Sequence, residues 1–516
     1  MTEFINRVAL TACRDTAHRI HFVRDGGLRS MTLAELDRQA AAVAARLRDR
    51  GVRRGDRVGV MARNRIEWVL LDLAVLKLGG VVAGFDAGRF DPATALERYG
   101  LHHIFAESAA SGGQRIVDIA AVHEWTGGPE LPVPFHGGYR PDDIFAIKFT
   151  SGSTGAPKGL EATTGSADDS MTSVQEMFAH GPGDNILVFF RLALLQQRYW
   201  IYSALAVGHD VTIANHEDAL DVAQAVHPTV IMAVPVFFDE VKKRLEAGNH
   251  DLDVLDFRRD AIQGIFGGNV RYLWTGSAAA GRATLDFYND CGVPLYQGYG
   301  LNETCIVSKN HPGAHRIGSA GKVLPNKTVR FDSDGMVIVG ARHPVNTHYS
   351  WCAPGDNERM FLPTGEVRTH DLGYLDDDGY LYIRGRVDDV VVLSSGRNVL
   401  VPPLEARLKE HPAIHDCILY GNAKPFLTAL ISPAHQPADV ASIQAFIDEL
   451  NMTLLAEQRI HAIIIAEEKF AVDNGMLTSQ FKPVRKEIAR RLAPQLDAVY
   501  GPSMELHGRR NFVIEA

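Results

Sequence analysis

Residues 150–159 read Thr-Ser-Gly-Ser-Thr-Gly-Ala-Pro-Lys-Gly and follow a short apolar run at 144–149. The run predicts a buried strand, and the small residues after it predict a loop. Glycines let backbone N–H groups approach an oxyanion, hydroxyls add donors, and Lys158 adds a positive charge. The stretch therefore fits an anion-binding loop and an ordinary surface loop equally well. It is not the P-loop of nucleotide hydrolases, because the spacing G-x-x-x-x-G-K-[ST] is absent.

Outside this stretch, predicted strands alternate with predicted helices. Residues 58–61 read as a strand, 67–78 as a helix with an apolar face and 80–83 as the next strand. Further strand-like runs lie at 186–190, 211–214, 230–234 and 270–274. This alternation predicts an α/β fold with parallel or mixed sheets and flanking helices. Ligands in such folds bind beyond the carboxyl ends of strands, where the 150–159 loop falls.

The composition excludes several classes of protein. A chain of 516 residues is too long for one ordinary core, so more than one domain is expected. A net charge of −9 argues against a nucleic-acid coat. Five cysteines without C-x-x-C spacing indicate neither a disulfide framework nor a zinc site. No secretory signal and no membrane-spanning apolar run are recognised, so we expect a cytoplasmic protein without a membrane span.

Three later stretches also hold small and polar residues, and the first of them follows the predicted strand at 270–274. Residues 274–280 read Trp-Thr-Gly-Ser-Ala-Ala-Ala, which by itself favours a tight strand-to-helix turn. Residues 296–304 read Tyr-Gln-Gly-Tyr-Gly-Leu-Asn-Glu-Thr. Residues 369–373 read Thr-His-Asp-Leu-Gly and precede Gly-Tyr-Leu-Tyr-Ile-Arg-Gly-Arg at 379–386. Between these two, Leu-Asp-Asp-Asp-Gly at 375–379 favours a hairpin turn over a metal loop.

Taken in this order, the stretches resemble the motifs of the adenylate-forming superfamily, which includes acyl-CoA synthetases, firefly luciferases and peptide-synthetase adenylation domains. The resemblance covers nearly the whole chain and is nearest to the long-chain acyl-CoA synthetase branch. It implies that Tyr299 stacks on adenine, that Asp371 and Arg386 hold the ribose, and that Glu303 holds Mg²⁺. The implied ATP-binding residues are Thr150, Ser151, Gly152, Ser153, Thr154, Gly155, Gly276, Ser277, Ala278, Gln297, Gly298, Tyr299, Gly300, Asn302, Asp371, Arg386, Gly396 and Arg397.

Two positions depart from the motifs. Asn302 stands where the family's Tyr-Gly-x-Thr-Glu motif has threonine, and His370 stands where the Thr-Gly-Asp motif has glycine. An amide still donates a hydrogen bond, so ATP binding remains the expectation.

The resemblance implies an N-terminal domain over residues 1–387, which binds ATP and substrate, and a mobile α+β domain over 388–516. The family's hinge lies two residues past the motif arginine, which places it at Asp388. In the second domain we expect helices over 403–410, 441–458 and 483–496, and strands over 414–420, 426–432 and 460–466. The loop at 394–399 resembles the one carried to the thiol tunnel. Arg397 on this loop fits a phosphate contact and a solvated surface arginine about equally.

Residues 474–485 read Asn-Gly-Met-Leu-Thr-Ser-Gln-Phe-Lys-Pro-Val-Arg. They resemble the Asn-Gly-Leu-Leu-Thr-x-x-x-Lys segment of the long-chain branch, whose lysine bridges the carboxylate and the α-phosphate. Attack of one anion on another requires positive charge where negative charge builds up. The implied catalytic residues are therefore Lys482, Glu303 and Lys158.

The acyl pocket departs most from the family. Residues 191–200 read Arg-Leu-Ala-Leu-Leu-Gln-Gln-Arg-Tyr-Trp in place of a Pro-Leu-x-His type segment. Polar side chains beside an apolar tunnel are costly unless they are paired. A polar or anionic substrate would pair Arg191, Gln196, Gln197 and Arg198, and so would a surface position. We assign Arg191, Gln197 and Arg198 to the substrate pocket and expect an aromatic or short polar acid instead of a long fatty acid.

The resemblance implies an AMP-forming ligase that uses ATP and Mg²⁺ to activate a small carboxylic acid and passes it to coenzyme A. A homodimer is a possible assembly. One alternative is a diazotase, which activates nitrite with ATP and diazotises an aromatic amine. Another is a non-catalytic nucleotide-binding protein, which the changes at Asn302 and His370 favour. The joint presence of Lys158, Glu303, Asp371, Arg386 and Lys482 speaks against loss of turnover.

Overall fold

The computed structural model describes residues 3–107, 114–129, 136–149, 157–248, 255–478 and 481–501, and the backbone of 512–515. Its helices are α1 (Phe4–Leu10), α2 (Leu33–Asp49), α3 (Ile66–Lys77), α4 (Pro92–Arg98), α5 (Val122–Trp125), α6 (Thr164–Phe178), α7 (Leu195–Val207), α8 (Ala219–Val226), α9 (Pro235–Gly248), α10 (Leu255–Ile265), α11 (Arg282–Asp290), α12 (Asp356–Met360), α13 (Pro402–Leu408), α14 (Val440–Met452), α15 (Arg485–Arg491) and α16 (Ala493–Val499).

The strands are β1 (Arg19–Arg24), β2 (Gly27–Thr32), β3 (Arg57–Met61), β4 (Val81–Phe85), β5 (His103–Ala106), β6 (Ile116–Asp118), β7 (Ile144–Phe149), β8 (Gly159–Thr163), β9 (Asn185–Val188), β10 (Asp210–Ile213), β11 (Val230–Ala233), β12 (Tyr272–Thr275), β13 (Leu295–Leu301), β14 (Cys305–Lys309), β15 (Lys322–Val323), β16 (Lys327–Phe331), β17 (Met336–Ala341), β18 (Val367–Leu375), β19 (Leu381–Arg386), β20 (Val390–Val392), β21 (Asn398–Leu400), β22 (Ile414–Tyr420), β23 (Leu427–Pro433), β24 (Ile460–Ile465) and β25 (Phe512–Glu515).

Two large mixed sheets form the N-terminal part. One has the strand order β6-β5-β3-β4-β7-β8 and is parallel except for the antiparallel β7–β8 hairpin. The other has the order β15-β14-β13-β12-β11-β9-β10-β1-β2, with antiparallel pairs only at its two ends. Side chains of both sheets and of α1, α2, α3, α6 and α7 share one hydrophobic core. The predicted α/β architecture is confirmed, as is the strand at 144–149.

Helix α3 shows how closely these layers pack, because every one of its residues is buried. A helix that is apolar on all sides belongs inside a core. Its polar side chains have partners: Lys77 pairs with Asp37 at 2.7 Å, and Asp72 pairs with Arg198 at 2.9 Å.

The antiparallel sheet β16-β17-β18-β19 follows, and it holds Asp371 directly opposite Arg386. The predicted turn at 375–379 is confirmed, because it joins β18 to β19 with Gly379 at φ +78°. Beyond β19, a hairpin of β20 and β21 leads to the sheet β22-β23-β24-β25, with a hydrophobic cluster on each side of the sheet.

Two predicted helices in this last part have wrong bounds. The helix expected over 441–458 ends at Met452, because the Asn451 side chain bonds both backbone groups of Ile460 and turns the chain into β24. The helix expected over 483–496 begins only at Arg485 and is divided into α15 and α16. Pro494 stands in the first turn of α16, where a missing N–H group is tolerated, although in a helix interior it would break the hydrogen-bond ladder. Among the described residues, no helix is long and apolar enough to cross a membrane.

Candidate active site

The hairpin of β13 and β14 carries two of the predicted site residues, Tyr299 and Glu303. Its turn is tight, since a Cβ atom added to Gly300 would lie 2.1 Å from the carbonyl oxygen of Cys305. The turn is closed by a 3.0 Å hydrogen bond from the Leu301 N–H group to the Thr304 hydroxyl. A glycine is therefore required here for steric reasons, and the turn fixes Glu303 relative to Tyr299.

Glu303 and Lys158 both contact the side chain of Tyr349. The Tyr349 hydroxyl donates a 2.6 Å hydrogen bond to Oε1 of Glu303, a carboxylate only 6% exposed. The Lys158 ammonium lies 5.2 Å from the centre of the Tyr349 ring and 3.1 Å from Oδ1 of Asp356. Burial, reinforced by Glu303, raises the pKa of Tyr349, so its hydroxyl stays protonated as a donor. Sequence reasoning missed Tyr349 and Asp356, because both lie outside the recognised motifs.

Tyr299, Asp371 and Arg386 form a second group. The Tyr299 hydroxyl donates a 2.5 Å hydrogen bond to Oδ2 of Asp371, and Nη1 of Arg386 lies 3.4 Å from Oδ1. The Thr369 hydroxyl accepts a bond of 3.1 Å from the Asp371 N–H group and fixes the backbone. Burial raises the pKa of Asp371, although Arg386 and Tyr299 oppose this shift.

Lys482 approaches the same group from the C-terminal part of the chain. It closes a short hairpin in which the Thr478 N–H group donates to the Lys482 carbonyl at 2.8 Å. Burial and the nearby charge of Arg386 lower the pKa of Lys482, and Asp371 and Asp389 oppose that shift. The predicted charged residues thus fall into two groups, one around Tyr349 and one around Asp371, linked by the turn from Tyr299 to Glu303.

The segments at 276–278 and 297–300 lie side by side. A Cβ atom added to Gly276 would be 3.5 Å from the Gly298 carbonyl oxygen, in ordinary contact. Ser277 has a left-handed backbone, with φ +69°. Gln297 was predicted to bind ATP, but its side chain accepts from the Ala280 N–H group at 2.7 Å and donates to the Ser319 carbonyl at 3.2 Å. These bonds give Gln297 a part in holding the 276–280 segment in place.

The remaining predicted ATP-binding residues are placed as follows. Thr150, Ser151, Gly152, Ser153, Thr154 and Gly155 lie outside the described residues, between β7 and the described Pro157. Asn302 lies within the β13–β14 turn. Gly396 and Arg397 lie at the exposed tip of the β20–β21 hairpin, where Gly396 has φ +79°. Asp388, the predicted hinge, is exposed in a short 3₁₀ turn at Val387–Asp389. The roles of all these residues stay predictions.

His370 shows why the motif position favours glycine. Its φ is +60°, in the left-handed region of the backbone that residues other than glycine rarely adopt. Its Nε2 atom lies 3.1 Å from the Arg359 carbonyl oxygen, which ties β18 to the end of α12. The histidine therefore keeps the backbone shape of the motif and adds a hydrogen bond.

Both arginines assigned to the substrate pocket have a carboxylate partner within the protein. Arg191 pairs with Asp86 at 3.2 Å on the surface. Arg198 is completely buried, pairs through Nη1 with Asp72 and lies over the Trp68 ring. Its Nε and Nη2 atoms have no hydrogen-bond partner among the described residues. Gln197 is buried, and its Oε1 atom has no partner among the described residues. No anionic substrate is needed to pair either arginine.

Aromatic side chains fill the region around the start of α7. Tyr199 and Trp200 are each 5% exposed. The Trp200 ring packs edge-on against Trp274 at 5.1 Å, directly beside the 275–278 segment.

A buried polar cluster under the β13–β14 turn was also missed. The Cys305 thiol lies 3.7 Å from Nζ of Lys148 and 3.6 Å from the Tyr199 hydroxyl, and Lys327 donates to the Thr304 carbonyl at 2.9 Å. Burial alone would raise the pKa of Cys305, but Lys148 and Lys327 outweigh it and lower that pKa. Lys148 lies inside the apolar strand β7, and nothing in the sequence around it indicates its contact with Cys305, which is 157 residues away in the chain.

The side chains fit a magnesium–nucleotide complex. Among the described residues, no group of three or more histidine, cysteine or acidic side chains could hold a metal on its own. Mg²⁺ is usually held by one or two carboxylates together with phosphate oxygens and water, and Glu303 can supply such a carboxylate. The nearby cations Lys158, Lys482 and Arg386 suit the phosphates and the ribose.

Comparisons with known proteins agree with this geometry. Residues 10–344 match the AMP-binding enzyme family, and residues 388–503 match the AMP-binding enzyme C-terminal domain. FadD15 of Mycobacterium bovis, a long-chain-fatty-acid–CoA ligase, is 27% identical over 92% of this chain and 93% of its own length.

Two solved structures share the fold. An anthranilate CoA ligase, AuaEII, in complex with anthranoyl-AMP, superposes with a TM-score of 0.79 at 20% identity, covering 96% of this chain and 98% of that chain. The o-succinylbenzoate coenzyme A synthetase MenE of Bacillus subtilis, in complex with ATP and magnesium ion, gives 0.75 at 22% identity, covering 94% and 99%.

These matches define the class as adenylate-forming enzymes with the two-part fold described above. The chain belongs to the AMP-binding enzyme family, as an AMP-forming ligase of the acid–CoA ligase kind.

Proposed function

We propose that the protein activates a compact carboxylic acid, aromatic or polar, with ATP and transfers the acyl group to coenzyme A. One observation carries the proposal: the charged side chains of five distant motifs lie in two linked groups around Tyr349 and Asp371. This arrangement offers cations for the phosphates, a carboxylate for the metal and a carboxylate for the ribose diol.

In the first step, a carboxylate oxygen of the acid attacks the α-phosphorus of ATP, and pyrophosphate leaves. Lys482 neutralises charge between the two anions, and Lys158 binds the phosphates. Glu303 would hold Mg²⁺, which when bound would supply positive charge for the phosphate oxygens. In the second step, the thiol of coenzyme A attacks the acyl carbon. AMP leaves, and the thiol proton passes to solvent.

The filled space around α7 supports a compact acid. The buried rings of Tyr199, Trp200 and Trp274 stand where the family's acyl pocket begins, and a long alkyl chain would have to displace them. The arginines no longer support a polar acid, because Asp86 and Asp72 already pair them. AuaEII holds an aromatic acyl-adenylate, whereas FadD15 is named for long-chain fatty acids. The relatives therefore do not decide between a compact and a long acid substrate.

The same filled pocket favours a second candidate, ATP-dependent activation of nitrite followed by diazotisation of an aromatic amine. Nitrite is the smallest oxyacid anion in question and needs no acyl tunnel. The side chains around the phosphates would act in the same way on it.

We also propose a domain boundary between residues 387 and 388, with rotation of the second domain at Asp388 between the two steps. The short 3₁₀ turn at Val387–Asp389 supports this, because the side chains of Val387 and Asp388 are exposed and a few residues at the end of an element can absorb a change of backbone angles.

The test is pyrophosphate release with ATP and Mg²⁺ across a panel of acids: benzoate, anthranilate, short dicarboxylates, palmitate and nitrite. Each is measured with and without coenzyme A, and nitrite also with an arylamine. Release with an aromatic or short polar acid, and thioester with coenzyme A, supports the proposal. Release only with palmitate overturns the acid class. Release that needs nitrite and an arylamine and ignores coenzyme A supports the second candidate. ATP binding without turnover of any acid indicates a non-catalytic nucleotide-binding protein.

A further inference from the structure

Phe481, the residue immediately before Lys482, contacts the N-terminal part of the chain. Its ring centre lies 5.3 Å from that of His216, with the ring planes tilted by 39°. His216 belongs to the part that matches the AMP-binding enzyme family, and Phe481 belongs to the part that matches its C-terminal domain. The contact therefore joins the two domains one residue away from the candidate catalytic lysine.

His216 rests on a fixed aromatic surface. Its ring lies 5.8 Å from that of Phe189, 6.3 Å from that of Phe190 and 6.0 Å from that of Phe237. Phe189 and Phe237 are buried in the core formed around the second large sheet, so they do not yield when a ring docks on His216. Aromatic pairs at such distances attract each other beyond the effect of buried area.

The backbone at Phe481 is in the left-handed region, with φ +57°. A bulky residue is a genuine outlier there, and glycine would adopt this conformation without strain. The shape is held by a 2.8 Å bond from the Phe481 N–H group to the Thr478 carbonyl, and by the bond from Thr478 to the Lys482 carbonyl. A phenylalanine at this position is therefore unfavourable for the loop alone. Its ring packs outside the loop on two sides, against the C-terminal hydrophobic cluster that contains Ile488 and Leu496 and against His216 in the N-terminal part.

We propose that Phe481 and His216 form an aromatic latch, which holds the Lys482 loop on the N-terminal domain while the acid is activated. The latch opens when the C-terminal domain rotates for the second step. Phe481 is thus a positioning residue, since it acts through Lys482 and touches no reacting atom. The inference rests on the proposed two-step function.

Three variants separate the ring from the backbone. Phe481→Ala removes the ring, and Phe481→Gly removes it while relieving the left-handed strain. Phe446→Ala is the matched control, because Phe446 packs on His411 at 4.9 Å within the C-terminal domain alone. Assays use the panel acid that releases the most pyrophosphate, together with the synthetic adenylate of that acid.

Both Phe481 variants should slow pyrophosphate release about tenfold and leave thioester formation from the synthetic adenylate within about twofold. Phe446→Ala should not change the ratio of the two rates. His216→Ala should match Phe481→Ala, the double variant should be no slower than either, and His216→Phe should retain the wild-type ratio. A wild-type rate for Phe481→Gly, or equal losses in both steps, would overturn the latch.

A second measurement needs no turnover. Nitroxide labels are placed at Leu28→Cys and Met452→Cys, which are exposed on the two domains, in a background with Cys13→Ser and Cys352→Ser. The distance distribution between the labels, measured without ligand, should broaden on Phe481→Ala and stay unchanged on Phe446→Ala. An unchanged distance distribution for Phe481→Ala would overturn the latch, whether or not any acid in the panel is activated. If no acid is activated but the distribution broadens, the proposed function fails and the latch stands.

Discussion

The Tyr349 hydroxyl donates a 2.6 Å hydrogen bond to Glu303 while the Tyr349 ring faces the Lys158 ammonium. One side chain therefore orients the carboxylate proposed to hold Mg²⁺ and the lysine proposed to bind phosphate. Tyr349 itself could not be recognised from the motifs, since it lies 46 residues from Glu303 in the chain.

Tyr349→Phe should weaken the use of magnesium without removing the aromatic ring under Lys158. The variant loses one charge-assisted hydrogen bond to Glu303, which contributes about 1.5–3 kcal/mol. We expect the Mg²⁺ concentration for half-maximal pyrophosphate release to rise about tenfold or more. The matched control is Tyr374→Phe at a tyrosine 39% exposed. An unchanged magnesium dependence in Tyr349→Phe would separate this tyrosine from the metal site.

Asp168 should make the folded protein less stable as the pH rises. Burial raises the pKa of Asp168 from 3.8 to about 7, although the Ile5 N–H group donates to it at 3.0 Å. Between these values the folded state keeps a proton that the unfolded state has lost, so stability falls across this window. We expect Asp168→Asn to raise the free energy of unfolding, relative to the wild type, by about 2–3 kcal/mol more at pH 8 than at pH 5, as measured by chemical unfolding.

An equal effect of Asp168→Asn at both pH values would contradict the raised pKa. The control is Asp377→Asn in the exposed β18–β19 turn, which should show no such difference between the two pH values.

His370→Gly should keep the activity and slightly stabilise the fold. A left-handed backbone is unfavourable by about 1–2 kcal/mol for a residue other than glycine, so the change to glycine relieves this strain. The variant also loses the hydrogen bond to the Arg359 carbonyl, which offsets about 1 kcal/mol of that stabilisation. The expected result is an unchanged rate of pyrophosphate release with a small rise in melting temperature. A large loss of activity would give His370 a direct part in nucleotide binding.

Arg198 should prove to be a core residue and not a substrate ligand. Arg198→Met leaves the buried Asp72 carboxylate without its ion-pair partner, although the Tyr202 hydroxyl still donates to it, and should destabilise the fold by about 3–5 kcal/mol. The double variant Arg198→Met with Asp72→Leu should recover most of that stability, because replacing both partners is often neutral. The KM for the acid in the double variant should match the wild type. A selective rise in that KM would return Arg198 to the substrate pocket.

The sequence predicted those parts of the fold and site that depend on short-range patterns. The order of the motifs and their resemblance to a known family were enough to propose Glu303, Asp371 and Lys482, whose roles stay predictions. Contacts between distant segments could not be predicted in this way. Arg198 and Asp72 are 126 residues apart, and only the fold shows that they neutralise each other. The helix expected over 483–496 is divided into α15 and α16, and Pro494 in the first turn of α16 is the local signal for this division.

The pH dependence of Lys482 offers a further check on its role. Burial and Arg386 lower the pKa of this lysine, and its proposed role in adenylation needs the protonated form. Pyrophosphate release should therefore fall as the pH rises through a value below the ordinary 10.5 of lysine. An arginine stays charged at high pH, so Lys482→Arg should shift this fall in the pH–rate profile to higher pH or remove it. A limb that persists unchanged in Lys482→Arg would assign the titration to another group.

The most direct test of the central claim, that these distant charged side chains serve one bound nucleotide, compares the two half-reactions in Lys482→Ala. The geometry predicts a loss of about 100-fold or more in pyrophosphate release, because the variant removes positive charge from the transition state of acid activation. Thioester formation from the preformed adenylate should stay within about threefold of the wild type, because that step needs no such charge. Equal losses in both half-reactions, or no loss in pyrophosphate release, would contradict the account.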